Sequence, residues 1–308
     1  MNNKNTTIGI PKALLYYKYN DLWESFFNEL GINVLYSPET NNEILERGKS
    51  LSIDESCLAL KIFMGHVDYL VNKVDYILIP RIECLKKHEK LCTNFYALYD
   101  IVNNIFNTKI LNYNIDVKKG KTEKKAFIQI GKSLNKSHVE ILTAYNIAKN
   151  VFKESKKQRY FDQLNLLNTS TKNKILIVSH PYNTYDKLIG EPIIKLLKKQ
   201  NTDIIYCDVF DEEEIKNKHT HISDKVYWTY SKELLGGLVN YYKHIDGIIL
   251  LTVFPCGPDS LTNEMCMSKI NLPIINIIID ELSGEAGLQT RIESFIDIVN
   301  EKKKVKNN

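Results

Sequence analysis

The sequence lacks any apolar run long enough to form a membrane helix. No stretch reaches the roughly 18 uninterrupted apolar residues that such a helix needs. The first five residues also lack the apolar core of a signal peptide. We therefore expect a cytoplasmic protein that does not associate with membranes. A net charge of +4 over 308 residues, with a basic block only near the C-terminus, gives no reason to expect nucleic-acid binding.

The sequence also lacks the short motifs that bind nucleotides. There is neither a G-x-G-x-x-G after a strand nor a G-x-x-x-x-G-K-[ST] anywhere. Any ATP hydrolysis linked to this protein must therefore occur on another chain. No C-x-x-C pair is present among the six cysteines. In a reducing compartment these cysteines are not expected to form disulfides, which leaves metal ligands, reactive thiols or core residues.

Strand and helix patterns alternate in two parts of the chain. Short apolar runs predict strands at 7–11, 32–36, 74–80, 109–113, 174–179, 203–207, 247–253 and 273–279, with amphipathic helices between most of them. Strands joined through helices pair in parallel and build doubly wound sheets. The predicted fold class is therefore α/β, with two Rossmann-like parallel-sheet domains joined by a helical segment.

The lysine-rich middle of the chain shows mostly helical periodicity and sets the predicted domain boundaries. We expect an N-terminal α/β domain at 1–115, a helical bridge at 116–170, a C-terminal α/β domain at 171–302 and a tail at 303–308. Ligands of such sheets bind beyond the carboxyl ends of the strands, where the strand order reverses.

Three cysteines lie at predicted strand ends or helix starts. Cys256 follows the strand at 247–253 and opens the next helix, Cys57 also begins a helix, and Cys92 lies in the loop after the strand at 74–80. The positive end of a helix dipole stabilises a thiolate, which is the form that binds metal. From spacing alone these residues are compatible with a metal cluster, with a catalytic thiol or with no chemical role.

The other cysteines have simpler interpretations. Cys207 lies within a strand pattern and Cys266 in the middle of a helix, so both are expected in the core. Cys84 is predicted to share a loop with Cys92, eight residues before it, and its role stays open.

Several short motifs, in their order and spacing, resemble the 2-hydroxyacyl-CoA dehydratase and benzoyl-CoA reductase superfamily. The similarity is closest to the branch related to the domain associated with the acyl-CoA dehydratase activase, and it covers nearly the whole chain. The motifs are IGIPKAL at 8–14, DESC at 54–57, GHV at 65–67, IPR at 79–81, HPYNTYD at 180–186, FPCGPDS at 254–260, DELSGEAG at 280–287 and TRIESF at 290–295.

The resemblance implies a [4Fe–4S] cluster between the two domains, held by Cys57, Cys92 and Cys256, with one iron open to substrate. One related type carries a double-cubane cluster instead, and for that type Cys84 is the reserve ligand. The family's ligand loop usually continues Cys-Pro-Lys, whereas this chain has Thr93 and Asn94 after Cys92.

Four further residues are candidates for binding or catalysis. His180 and Asp186 are interpreted as a proton donor or substrate contact, or alternatively as residues that order a turn. Glu281, at a strand end, is a candidate for acid–base work or for a structural contact with Arg291. Arg81 is a candidate for binding a phosphate or carboxylate, or alternatively for bracing the loop that carries Cys84 and Cys92. His66, among apolar neighbours, is expected to be a packing residue.

The resemblance implies an iron–sulfur protein that accepts low-potential electrons from an ATP-dependent activase and reduces or dehydrates an acyl-CoA or a small substrate. It also implies a homodimer, or a heterodimer with a related subunit. The alternatives are a cluster protein without catalytic activity, which transfers electrons or acts as a scaffold, a double-cubane reductase of small molecules, and a metal-free α/β binding protein.

Overall fold

The computed structural model describes residues 6–282 and 285–307 and divides the chain into two compact units. Unit 1 is Met1–Ser155 and unit 2 is Lys156–Asn308. The division falls inside a long helix, α6 (His138–Thr169). The boundaries proposed from the sequence, at 115 and 170, stay predictions.

Unit 1 contains a four-stranded parallel sheet. Its strands are β1 (Thr7–Ile10), β2 (Asn33–Tyr36), β3 (Tyr76–Cys84) and β4 (Ile110–Asp116), in the order β2-β1-β3-β4. The helices are α1 (Tyr16–Glu29), α2 (Asn42–Ser50), α3 (Leu58–Leu70), α4 (Thr93–Ile105) and α5 (Glu123–Ser133), followed by α6. The strand order reverses between β1 and β3, so their carboxyl ends flank a switch point of the kind at which such sheets bind ligands.

Unit 2 repeats this arrangement. Its strands are β5 (Asn173–Val178), β6 (Thr202–Tyr206), β7 (Gly247–Val253) and β8 (Ile274–Ile279), all parallel, in the order β6-β5-β7-β8. Its helices are α7 (Pro181–Thr184), α8 (Gly190–Lys199), α9 (Thr229–Tyr241), α10 (Gly257–Lys269) and α11 (Glu285–Asn307). Every residue of β7 is buried, as expected for a central parallel strand. Here the strand order reverses between β5 and β7.

The predicted fold class is confirmed, because each unit has a parallel sheet flanked by helices. All eight predicted strands are present, and the main difference is the length of β3. The strand was expected to end at Pro80 but continues to Cys84, because it stays paired with β4 from Ile77 through to the Cys84–Asp116 pair. The one-turn helix α7 was not predicted, since four residues give no readable periodicity.

Helices α2 and α3 approach each other closely at two glycines. A Cβ at Gly48 would lie 1.7 Å from the carbonyl oxygen of Lys61, and a Cβ at Gly65 would lie 1.9 Å from that of Ile44. Only glycine allows backbones to come this close. This contact fixes the position of α3, the helix that begins immediately after Cys57.

His66 is a fully buried histidine that joins three elements of unit 1. Its Nε2 lies 3.0 Å from Thr40 Oγ1 and its Nδ1 lies 2.8 Å from Ser37 Oγ, which also accepts a hydrogen bond from the backbone N–H of Lys12. Burial, and to a lesser extent the charge of Lys12, lower the pKa of His66 to about 3. The expectation of a packing histidine is confirmed, because both ring nitrogens have partners in the core.

The buried imidazole predicts a pH dependence of stability for unit 1. Because the folded pKa of His66 lies below the unfolded value of about 6.5, the unfolded chain takes up a proton that the folded chain does not. The stabilisation is complete above pH ~6.5 and declines as the pH falls towards 3, by up to about 1.4 kcal/mol per pH unit. Urea unfolding at pH 7 and pH 5 should show a smaller difference in His66→Gln than in the wild type. Exposed His88→Gln is the matched control, and a His66→Gln variant with the full wild-type pH dependence would contradict the assignment.

Among the helices of residues 6–282 and 285–307, none combines the length and the hydropathy that a membrane-spanning segment requires.

Candidate functional site

Cys57 occupies the N-cap position of α3. A turn precedes it, in which Ser56 N–H donates to Ile53 O at 3.0 Å, and the N–H groups of Leu60 and Lys61 then donate to the Cys57 carbonyl. Its side chain is partly exposed and makes no capping hydrogen bond to the helix. The thiol therefore lies at the positive end of a 13-residue helix, which favours its thiolate form.

Cys92 occupies the same position at the start of α4. The N–H of Phe95 donates to the Cys92 carbonyl at 3.0 Å, and the N–H of Leu91 donates to Glu83 O at 3.1 Å, which ties the loop back to β3. Cys92 is also partly exposed. Two thiols of unit 1 thus have the same kind of local environment, the start of a helix, although they are 35 residues apart in the sequence.

Asn94 shows that these two helix starts are neighbours. Its Nδ2 lies 3.6 Å from Cys57 Sγ, within hydrogen-bonding reach of sulfur, while Asn94 itself follows Cys92 by two residues. This contact was not predictable from the sequence, because it joins loops from different strand–helix units. It places both predicted ligands of unit 1 at one edge of the fold.

A buried ammonium group lies close to the Cys57 loop. Lys61 is only 5% exposed, and its Nζ donates to Asp54 O at 2.9 Å, in the turn just before Cys57. A positive charge at this position favours negative charge in the neighbouring turn. Lys61, the α3 dipole and the Asn94 amide all favour negative charge at this point.

Cys84 is not in the loop where the sequence placed it. It is the last residue of β3 and is 1% exposed, and its thiol donates to Lys86 O at 2.8 Å. The extended pairing of β3 with β4 explains the difference, because it carries the strand four residues beyond the predicted end. Cys84 therefore differs from Cys57 and Cys92 in both burial and position.

Arg81 faces helix α4. Its guanidinium pairs with Asp100 at 2.9 Å and lies over the rings of Tyr96 and Tyr99, at 4.6 and 5.6 Å from their centroids. These contacts match the bracing interpretation, because they fasten the helix that follows Cys92 to β3. The anion-binding role of Arg81 stays a prediction.

In unit 2, Cys256 begins α10 directly beyond β7. The N–H and hydroxyl of Ser260 both donate to the Cys256 carbonyl, at 3.0 and 2.7 Å, and the Cys256 side chain is partly exposed. A cis peptide bond joins Phe254 to Pro255 in the preceding turn. Because β7 borders the reversal of strand order, Cys256 lies where a parallel sheet presents its ligand-binding loops.

His180 and Asp259 form a buried pair beside Cys256. His180 follows β5, and its Nε2 lies 2.9 Å from Asp259 Oδ1, with both side chains less than 10% exposed. Thr252 Oγ1 donates to the other carboxylate oxygen of Asp259 at 3.1 Å. Tyr182 stacks on the His180 ring and Tyr230 meets it edge-on, with centroids 5.0 and 6.2 Å away.

The pKa of Asp259 reflects its burial and its contacts with His180 and with the residues around this pair. Burial by itself raises the pKa of this carboxyl group, but the charge of His180 and hydrogen bonds from His180, Cys256 and Thr252 lower the pKa below its usual value. Asp259 therefore joins the candidate ligand Cys256 to the candidate proton donor His180. The sequence analysis missed Asp259, although its place three residues after Cys256, on the same turn of α10, was a readable signal.

Asp186 orders the turn that leads into α8. It is 1% exposed, and its Oδ1 accepts hydrogen bonds from the N–H groups of Leu188 and Ile189 at 2.8 and 3.2 Å. These contacts match the turn-ordering interpretation that accompanied the catalytic one. The catalytic role of Asp186 stays a prediction.

Glu281 follows β8 at the end of the first described range. Its neighbour Asp280 accepts a hydrogen bond from the N–H of Leu282 at 2.9 Å, and Arg291 donates to Asn276 O at 2.6 Å. The remainder of the DELSGEAG motif includes Ser283 and Gly284, which lie outside the described residues. The acid–base role of Glu281 stays a prediction.

The remaining cysteines belong to the core of unit 2. Burial raises the pKa of Cys207 well above its usual value and that of Cys266 to about 12. Cys207 Sγ also donates to Leu234 O at 2.9 Å. These thiols stay protonated at neutral pH, which confirms that both are packing residues.

Every cysteine supplies the sulfur donor that an iron–sulfur cluster requires, and of the six cysteines Cys57, Cys92 and Cys256 are the partly exposed ones. Within residues 6–282 and 285–307, however, no three His, Cys, Asp or Glu side chains are grouped so as to hold a metal ion. The fit therefore rests on the chemistry of each thiol and on the neighbouring starts of α3 and α4.

A family model described as "CoA enzyme activase uncharacterised domain" matches residues 7–210. The chain belongs to this family. The match confirms the resemblance to the activase-associated branch and supports a role related to the dehydratases and their activase. It includes Cys57, Cys92 and His180 and ends before Cys256.

Solved structures give only distant similarity. A zinc-bound variant of AdcAII from Streptococcus pneumoniae is 11% identical, with a TM-score of 0.29 and coverage of 97% of this chain and 99% of that one. Zinc-bound AdcA from the same organism is 9% identical at a TM-score of 0.27, covering 97% and 57%. ZnuA is 10% identical at 0.27, covering 96% and 99%. Scores this low support no conclusion about fold or zinc, and no curated protein matches the chain by sequence.

Proposed function

We propose that this chain is an iron–sulfur protein of the 2-hydroxyacyl-CoA dehydratase type, with Cys57, Cys92 and Cys256 as cluster ligands. The observation that carries the proposal is the Asn94–Cys57 contact, which brings the starts of α3 and α4 together. Membership of the activase-related family supports it independently.

In this proposal the chain's own residues provide negatively charged thiolate ligands for the cluster. Cys57 and Cys92 bind as thiolates, which the dipoles of α3 and α4 stabilise. Lys61 compensates negative charge near Cys57, and Asn94 donates to its sulfur. When bound, a [4Fe–4S] or double-cubane cluster supplies single low-potential electrons and an open coordination position.

In unit 2 the proposed role of the residues around Cys256 is proton transfer. Asp259 holds the His180 ring in one orientation through the 2.9 Å contact to Nε2, and Tyr182 covers one face of that ring. In this proposal His180, held in that orientation, donates a proton to the substrate or accepts one from it. Water has little access there, since both side chains are less than 10% exposed.

A cavity in unit 2 bears on the kind of substrate. It has a volume of about 340 Å³ and is lined by the β8 residues 277–279, by Leu188 and by two basic side chains, Lys187 and Arg291. Ligand pockets typically measure about 300–1,000 Å³, so this one is at the small end. An apolar wall beside Arg291 suits the acyl or carboxylate part of a substrate better than a whole CoA, whereas Lys187 is already paired with Glu191 at 3.1 Å.

Electron transfer from an activase tests the proposal against its alternative. Anaerobically purified protein, mixed with an ATP-dependent activase and ATP, should be reduced and should then dehydrate or reduce a 2-hydroxyacyl-CoA. Reduction without turnover would favour the alternative, a non-catalytic electron-transfer or scaffold subunit. Absence of both reduction and turnover would count against either function.

A further inference from the structure

The amide side chain of Asn94 joins two cysteine-bearing segments. Asn94 is the second residue of α4, and its Nδ2 reaches Cys57 Sγ, 37 residues away in sequence, at 3.6 Å. The amide nitrogen can only donate, so the sulfur is the acceptor. Cys57 thus receives a hydrogen bond from the helix that begins after the second candidate ligand, Cys92.

An N–H donor stabilises sulfur more strongly as the sulfur becomes more negative. Charge-assisted hydrogen bonds are about twice as strong as neutral ones. Adding an electron to an iron–sulfur cluster increases the charge on its ligating sulfurs, and hydrogen bonds to those sulfurs help to set the reduction potential. Lys61, whose Nζ donates to the carbonyl oxygen of Asp54, adds a positive charge to the turn that precedes Cys57.

We propose that Asn94 is a positioning residue for Cys57, and that its N–H···S hydrogen bond raises the reduction potential of the bound cluster. This inference rests on the proposed function, because it requires Cys57 to be a cluster ligand. It goes further by assigning to Asn94 control over how readily the protein accepts an electron.

Two substitutions at Asn94 distinguish the effect of its hydrogen-bond donor from the effect of its side-chain volume. Asn94→Leu has similar size and no donor, and Asn94→Asp keeps the shape but replaces the donor with a negative charge. Asn103→Asp is the matched control, because it adds the same charge to an exposed position of α4. Each variant is reconstituted anaerobically and titrated by spectroelectrochemistry, with iron content measured in parallel.

We expect the ratio of reduced to oxidised cluster at a fixed potential to fall about tenfold in Asn94→Leu, which equals a shift of about 59 mV for a one-electron couple. Asn94→Asp should shift at least as far in the same direction, and Asn103→Asp much less. Wild-type potentials in both Asn94 variants would overturn the inference while leaving the proposed function intact. Wild-type protein without iron would instead overturn the proposed function, and the inference with it.

A second measurement applies if an Asn94 variant fails to assemble a cluster. In metal-free protein at neutral pH, alkylation of Cys57 by iodoacetamide is followed by mass spectrometry, with Cys92 as the internal reference. Loss of the donor should slow alkylation of Cys57 severalfold relative to Cys92, because the thiolate is less stabilised. An unchanged ratio in Asn94→Leu would show that the hydrogen bond has no influence on the sulfur.

Discussion

Replacing His180 with phenylalanine should destabilise unit 2 by about 1–3 kcal/mol, the usual cost of leaving a buried hydrogen-bonding group without its partner. The substitution keeps the ring volume and the stacking on Tyr182, so the loss comes mainly from Asp259, whose carboxylate would stay buried without its partner. The measurement is urea unfolding followed by amide exchange in peptides from β5, β7 and α10. Exposed His244→Phe is the control and should change stability by less than about 0.5 kcal/mol.

The His180→Phe variant should also reverse the contribution of Asp259 to the pH dependence of the stability of unit 2. In the wild type its pKa is lowered, so its stabilisation is present above the unfolded pKa of about 3.9 and is lost as the pH falls through the lower folded value. Without His180, burial dominates and raises the pKa, so stability should fall as the pH rises through that raised value. A His180→Phe protein with wild-type stability and wild-type pH dependence would contradict the assignment of an ionised, paired Asp259.

Replacing Gly48 with alanine should separate α2 from α3. The new Cβ would lie 1.7 Å from the carbonyl oxygen of Lys61, a backbone atom that a rotamer change does not move. Overpacking of this kind costs about 1–3 kcal/mol and sometimes more, and we expect the upper end because both atoms belong to helices. Amide exchange should accelerate in peptides of α2 and α3, with the start of α3 at Cys57 included.

Gly287→Ala is the matched control for this substitution. It makes the same chemical change in α11, where a new Cβ meets no atom within 4 Å. Replacing an open helical glycine with alanine should leave stability unchanged or raise it by up to about 1 kcal/mol. Equal exchange rates in Gly48→Ala and wild type would show that the two helices are not in contact as described.

The fold was predictable because its signals are local and repeated. β7 was predicted at its observed bounds from one apolar run, 247–253, and strands separated by helices leave few topologies besides parallel sheets. The end of β3 was not predictable in the same way, because it depends on pairing with β4 and not on the polarity of Glu83.

The candidate site was predictable only in part, for a related reason. Helix-start positions of Cys57 and Cys256 can be read from nearby residues, and the structure places each at an N-cap. The contact of Asn94 with Cys57 and that of His180 with Asp259 join residues 37 and 79 positions apart. Such contacts depend on how separate strand–helix units pack, and a single sequence carries no direct signal of that packing.

Iron and acid-labile sulfide content after anaerobic reconstitution tests the central claim most directly. The comparison is wild type against Cys256→Ala, with Cys266→Ala as the control, since Cys266 is a buried core thiol in the same helix, α10. If Cys256 is a cluster ligand, the wild type and Cys266→Ala should hold about four irons per chain, as expected for one [4Fe–4S] cluster, and Cys256→Ala should lose most of them. Equal iron in all three proteins, or none in the wild type, would contradict the claim.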